Sequence, residues 1–330
     1  MKNTAQFKKF IIAFVVSLFI FSLAALVIAF GLSIGRENDR VNGGYTPSDI
    51  SGKSFNILLI MSDYAPEKFN DYHPTWVKNV VGEDISFPSN APSSALSGYR
   101  KVYTENMVIA CFDKERGRVT LTPLSGGTLV NVKGLSIRLE ELAGEWGLPI
   151  LTEKVHALTG LEIDSYAVFT PSTAAAAFDL IGDVDYTIKC NMKYDIPERG
   201  IDIDLSAGTY RLDGKTTVDM LRFDGYEGLG VTRSEITLGY AKRLFNKLSK
   251  DLTSDELRDI INKTLSLANT DFDLSASNEE ITLISEIGKL SLESAEVVGA
   301  WQTVGNVRYF VLDETKTLNK LSEYRKHSIK

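Results

Sequence analysis

The sequence predicts an α/β or α+β body behind an N-terminal transmembrane helix. Three observations carry this expectation. Phe10–Ile34 is an uncharged apolar run long enough to span a bilayer as a helix. Phe55–Met61 (FNILLIM) is a continuous apolar run closed by Ser62 and Asp63, the pattern of a strand buried on both faces. Behind it, strand-like and helix-like segments alternate to the end of the chain.

The flanks of the first run set its orientation. Lys2, Lys8 and Lys9 precede it, whereas Arg36, Glu37, Asp39 and Arg40 form a mixed set after it. Positive charge on the near side predicts a cytoplasmic N-terminus (1–9), a single-pass signal anchor (10–34) and a body outside the cell membrane. A cleavable signal peptide is the alternative, but its apolar core is normally shorter. Residues 35–54, polar and rich in Gly and Asn, read as a linker.

Composition excludes several classes. With 36 Lys and Arg against 43 Asp and Glu the net charge is -7, which argues against nucleic acid as a partner. Two cysteines, Cys111 and Cys190, are too few for a disulfide framework and read as buried thiols in strands. His73, His156 and His327 are scattered, so no zinc site is visible. There is no G-x-S-x-G, no P-loop and no H-E-x-x-H.

The elements follow in order. Residues 64–103 carry Pro66, Pro74, Pro88 and Pro92 and read as a long surface loop. Glu105–Phe112 and Arg118–Pro123 form a hairpin about a charged turn ending at Gly117, followed by a flexible loop at Ser125–Thr128. Leu135–Trp146 and Ile150–Leu158 read as helices and Ile163–Phe169 as a strand. A helix opens at Pro171 and stops at Gly182, and the next strand is Val184–Ile188. Gly200–Leu212 is extended. Thr217–Phe223, Ser234–Leu248, Ser254–Ala268 and Asn278–Leu290 read as helices. Val297–Trp301 and Val307–Val311 pair about Gly305-Asn306, and Thr315–Lys326 is a terminal helix.

Two residues stand out chemically. Asp63 lies at the carboxyl end of a central strand, where α/β sheets form their sites; it could equally cap a turn. Arg222 ends an apolar helix stripe beside the Gly-rich bend at 225–230, where a guanidinium can take a phosphate bidentately or simply cover a helix end.

The ordered pieces NILLIMSD (56–63), ENMVIACFDKERGRVTLTPL (105–124), LTEKVHALTGLEIDSYAVFTPSTAAAAFDLIGDVDYTI (151–188), IDIDLSAGTYRLDGKTTVDMLRFDG (201–225) and AKRLFNKL (241–248) resemble the LytR-CpsA-Psr (LCP) family of the Gram-positive cell envelope, the cell envelope-related transcriptional attenuator domain. The resemblance covers most of residues 55–290 and leaves 291–330 as a hairpin and helix packed on that domain. It implies a mixed central sheet flanked by helices, and a membrane-anchored protein that transfers a polyprenyl-pyrophosphate-linked glycopolymer to peptidoglycan with Mg²⁺. The lipid tail would lie in an apolar tunnel. Arginines would hold the pyrophosphate, and acidic residues the metal or the acceptor hydroxyl.

Carried over by position, Asp63 is retained, and Glu105 stands for an aspartate as the second catalytic or metal-binding carboxylate. Arg222 keeps the first arginine of the later motif, but Asp224 replaces the second. Arg233 reads as a displaced remnant of the following arginine run. Tyr103 takes the place of an arginine, with Arg100 and Lys101 close enough to substitute. The family's Arg-Asp pair after the hairpin reads Gly126-Gly127, with Thr128 retained. Phosphate binding would therefore fall to Arg222, Arg233, Arg100 and Lys101. Losing even one such donor commonly costs about 2–4 kcal/mol of barrier, so the sequence predicts a degenerate member. It would bind a polyprenyl-phosphate-type lipid or an envelope protein without the standard catalysis. A divergent Mg²⁺-dependent phosphotransferase and an extracellular protein-binding scaffold are the alternatives.

Overall fold

The computed structural model describes residues 54–63, 102–113, 116–132, 134–226, 229–248 and 291–325, together with 256, 259–260, 263–264 and 266–271. The predicted signal anchor, most of the linker, most of the 64–103 loop with Arg100 and Lys101, and the predicted helix at Asn278–Leu290 lie outside these residues. Among the described residues no helix is long and apolar enough to cross a membrane.

The first strand, β1 (Ser54–Ser62), is central as its apolar run demands. It pairs antiparallel with β2 (Thr104–Asp113), which turns into β3 (Arg118–Leu124). Next come a hairpin, β4 (Leu129–Val132) with β5 (Leu135–Arg138), and two helices, α1 (Leu139–Trp146) and α2 (Leu148–Thr159). Strand β6 (Ser165–Phe169) then runs parallel to β1 on its other side. Helix α3 (Pro171–Ile181) begins with a Thr170–Thr173 capping box and Pro at its start, which satisfies amide groups the helix leaves open.

Four short strands follow: β7 (Val184–Ile188), β8 (Met192–Ile196), β9 (Ile201–Leu205) and β10 (Gly208–Leu212). They pair as β7–β10 and β8–β9. Helix α4 (Gly214–Arg222) and helix α5 (Arg233–Leu248) come next. Strand β11 (Asn269–Thr270) edges the main sheet beside β6, and β12 (Ser291–Ser294) lies parallel to β3 on the opposite edge. The chain ends in a hairpin, β13 (Gly299–Val304) with β14 (Val307–Leu312), and helix α6 (Glu314–Leu321).

The main sheet is therefore mixed, in the order β11-β6-β1-β2-β3-β12. Alternate residues of β1 feed two cores. Ile57, Leu59 and Met61 pack toward α3, α4 and α5 through Phe178, Leu221 and Tyr240. Leu58 and Ile60 pack toward α1, α2 and α6 through Leu142, Leu151 and Leu321. Burial on both faces explains the absence of polar alternation in FNILLIM.

Two expectations are corrected. Leu135–Arg138 is a strand and the helix starts at Leu139, because Gly134 at φ 82° turns the chain back on Leu129–Val132. The extended region at 200–212 is two strands, and an unexpected β8 pairs with the first of them. Cys111 is buried as expected, Cys190 only half-buried, and both stay thiols.

Candidate functional site

The carboxyl end of β1 and the start of β2 are held in an irregular register. Met61 pairs with Asn106 and Ser62 with Thr104, so Glu105 is the extra residue of a bulge. A bulge re-aims the side chain it carries. Below it, Asp63 and Tyr103 close the ladder: the Asp63 amide donates to the Tyr103 carbonyl at 3.1 Å, and the Tyr103 amide donates to Asp63 Oδ1 at 2.9 Å. Both carboxylates are almost fully buried, with side chains 1% exposed.

Burying two anions requires cations, and Arg222 and Arg199 supply them, with Arg233 beside the pair. Arg222, in the last turn of α4 where its charge also suits the helix dipole, grips Glu105 bidentately: Nε to Oε2 at 2.5 Å and Nη2 to Oε1 at 2.7 Å. Its Nη1 and Nη2 also donate to the carbonyls of Gly200 and Arg199, at 3.1 and 3.0 Å. Arg199 ends a short 3₁₀ turn opened by Pro197 and donates to Glu105 Oε1 at 3.2 Å; its Nε lies 3.9 Å from Asp63 Oδ2. The Arg199 guanidinium rests on the Tyr103 ring at 4.2 Å. Arg233, at the start of α5, is spent on protein acceptors. It donates to the carbonyls of Glu105, Arg222 and Phe223, and pairs with Asp224 at 3.0 Å.

The structure thus brings together Asp63, Glu105, Arg222 and Arg233. It adds Arg199, which carried no recognisable signal: Pro197-Glu198-Arg199-Gly200 reads as an ordinary turn. The charge reversal at Asp224 is neutralised by Arg233 rather than left in the site. Both Glu105 oxygens accept from guanidinium groups, and Asp63 has Arg199 against one oxygen and the Tyr103 amide on the other. Magnesium demands several oxygens in near-octahedral array. As arranged, these carboxylates do not offer them, so the residues present do not fit the metal.

Beside this cluster a cleft of about 920 Å³ opens between the main sheet, α5 and the terminal hairpin. Its apolar wall includes Met107, Pro123, Leu124, Val297, Trp301 and Phe310. Its polar lining includes a second ion pair, Arg138 to Glu140 at 3.1 Å. Burial pushes the Glu140 carboxyl above the usual carboxylate range, against the pull of Arg138, Arg199 and Arg233.

A model of the LytR_cpsA_psr family matches residues 47–326. The chain belongs to the LytR-CpsA-Psr family. Solved structures agree on the fold. A putative transcription regulator from Eubacterium siraeum aligns at TM-score 0.59 and 14% identity, over 88% of this chain and 98% of its own. TagV of B. subtilis aligns at TM-score 0.58 and 14% identity, over 84% of this chain and 99% of its own. The family protein YwtF (TagT), solved with bound octaprenyl pyrophosphate lipid, aligns at TM-score 0.50 and 16% identity, over 89% of this chain and 95% of its own. No curated protein matches the sequence.

The structure shows what surrounds the Gly126-Gly127 loop. A Cβ on Gly126 would stand 2.6 Å from Glu140 Oε2. One on Gly127 would stand 2.5 Å from the Trp301 ring and 3.1 Å from Arg138 Nη2. Backbone bonds from Leu139 to Thr128 and from Glu140 to Gly126, at 2.8 and 2.9 Å, lock α1 against this loop. An arginine and a carboxylate therefore lie against the two glycines, borne on β5 and α1.

Proposed function

We propose that this LCP protein binds a polyprenyl-phosphate-type lipid of envelope assembly without the standard transfer chemistry. The observation that carries this reading is where the arginines point. Arg222 makes four hydrogen bonds, all to Glu105 or backbone carbonyls, and Arg233 is likewise consumed by protein groups. Phosphoryl transfer works by charge neutralisation at the transferring group, and these charges are already neutralised internally. The cleft beside them offers apolar surface for a prenyl chain and Arg308 on its lining for a phosphate. The uncharged Phe10–Ile34 run would anchor the body on the outer face of the cell membrane, near such lipids and any envelope protein it serves.

One observation favours the transferase instead: two carboxylates and three arginines do converge. The decisive experiment measures octaprenyl phosphate and pyrophosphate binding to the full-length protein, with and without Mg²⁺, beside glycopolymer transfer to peptidoglycan. Lipid binding indifferent to Mg²⁺, with no transfer, is the expected result. Mg²⁺-dependent transfer would establish the enzyme. No lipid binding at all would leave a protein-binding scaffold.

A further inference from the structure

Asp63 and Glu105 sit at the ends of adjacent strands, and one guanidinium lies against both. Arg199 is 3.2 Å from Glu105 Oε1 and 3.9 Å from Asp63 Oδ2. Two carboxylates this deeply buried and this close hold their charge only with cations between them. A divalent ion is one solution, since it is commonly the largest local charge in such a centre. Here two guanidinium groups, Arg199 and Arg222, supply the same total charge. Arg222 is fixed on Glu105 and two carbonyls, so it serves one carboxylate. Arg199 is the bridging charge. Three features hold it in place: the turn opened by Pro197, the Tyr103 ring beneath it, and burial to 18% side-chain exposure.

We propose that the Arg199 guanidinium occupies, as a built-in cation, the place between Asp63 and Glu105 that a divalent metal would take. The two carboxylates then stay ionised without metal, and removal of this one side chain uncovers Asp63 Oδ2 and one side of Glu105 Oε1 to a divalent ion, with Arg222 still on Glu105. A planar, permanently charged group is suited to the task because it cannot be titrated away or exchanged with solvent. The inference rests on the geometry of the two carboxylates and not on lipid binding, so either reading can fail alone.

The test is a Mn²⁺ titration of the full-length protein, with free Mn²⁺ read by electron paramagnetic resonance and folding checked by circular dichroism. Wild type is expected to show no saturable site. Arg199→Ala and Arg199→Gln are expected to gain one, about tenfold or more tighter than any wild-type binding, because two buried anions lose a cation. Adding Asp63→Asn should abolish it, and Arg199→Lys, which keeps the charge, should not create it. Two results overturn the proposal: a saturable wild-type site that Asp63→Asn removes, or a folded Arg199→Ala or Arg199→Gln protein that gains no Mn²⁺. Arg199→Gln guards against misfolding of the alanine variant, and the wild-type arm needs no variant at all.

Discussion

Glu105 shows how one residue changes meaning between sequence and structure. As a string position it is a carboxylate at the start of a strand. In the fold it is the acceptor for two guanidinium side chains, with its own carbonyl taken by a third. Glu105→Gln keeps the shape but strands Arg222, so it should cost on the order of 3–5 kcal/mol, seen as a lower denaturant midpoint in equilibrium unfolding. Glu140 makes a separate prediction at this scale. Its folded carboxyl is held above the usual range, chiefly by burial. The folded state therefore binds more protons than the unfolded chain between the two values. Stability should fall as pH rises from the ordinary carboxylate range through the raised one, then level off. Unfolding midpoints measured across mildly acidic pH should show this slope in wild type and lose it in Glu140→Gln.

At the scale of elements, the site is a product of ends. A bulge turns Glu105, the last turn of α4 delivers Arg222, a 3₁₀ turn delivers Arg199, and the first residue of α5 is Arg233. The position of α4 thus decides the geometry. Asp213 caps it by accepting from the Thr216 amide at 2.8 Å, and Thr216, through its side chain first and this amide second, lowers the Asp213 carboxyl pKa. Asp213→Ala should cost about 1 kcal/mol. Gly214, at the start of the same helix, admits no side chain: a Cβ there would meet the Ala175 carbonyl oxygen of α3 at 2.0 Å. Gly214→Ala should separate α3 from α4 and lose about 1–3 kcal/mol, with Arg222 drawn away from Glu105. Thermal unfolding reads the first effect, and the second follows from a double-mutant cycle in which Glu105→Gln costs less in the Gly214→Ala background.

For the whole molecule, the β2–β3 side of the main sheet and the C-terminal hairpin meet at the cleft. Strand β12 extends the sheet beyond β3, and β14 docks on the 126–128 loop through the Phe310 amide bonded to the Gly127 carbonyl at 2.8 Å. Trp301, 43% exposed as a residue, leans over that loop, with Arg308 against its ring at 4.9 Å and Phe310 at its edge. A half-exposed side chain contributes modestly to folding, so Trp301→Ala should change stability by no more than about 1–2 kcal/mol. If the cleft holds a prenyl lipid, the same variant should weaken octaprenyl phosphate binding by about tenfold, or about 1.4 kcal/mol. Isothermal calorimetry beside thermal melting separates the two.

The sequence by itself determined the family, the central strand, the β2–β3 hairpin, the helix opened by Pro171, the terminal hairpin and the placing of Asp63 at the end of one strand and Glu105 at the start of another. These follow from local signals: an unbroken apolar run, a charged turn with Gly, a helix opened by proline and stopped by glycine. Only the tertiary structure decided which charges surround those carboxylates. Arg199 lies 94 residues from Glu105 and 136 from Asp63 along the chain, and nothing in its own neighbourhood marks it. Arg138 and Trp301 reach Gly127 from a strand read as helix and from the C-terminal hairpin. Electrostatic partnership depends on distance through space, and a long-range fold fixes that distance only when sheet register, bulge and helix position are all set together.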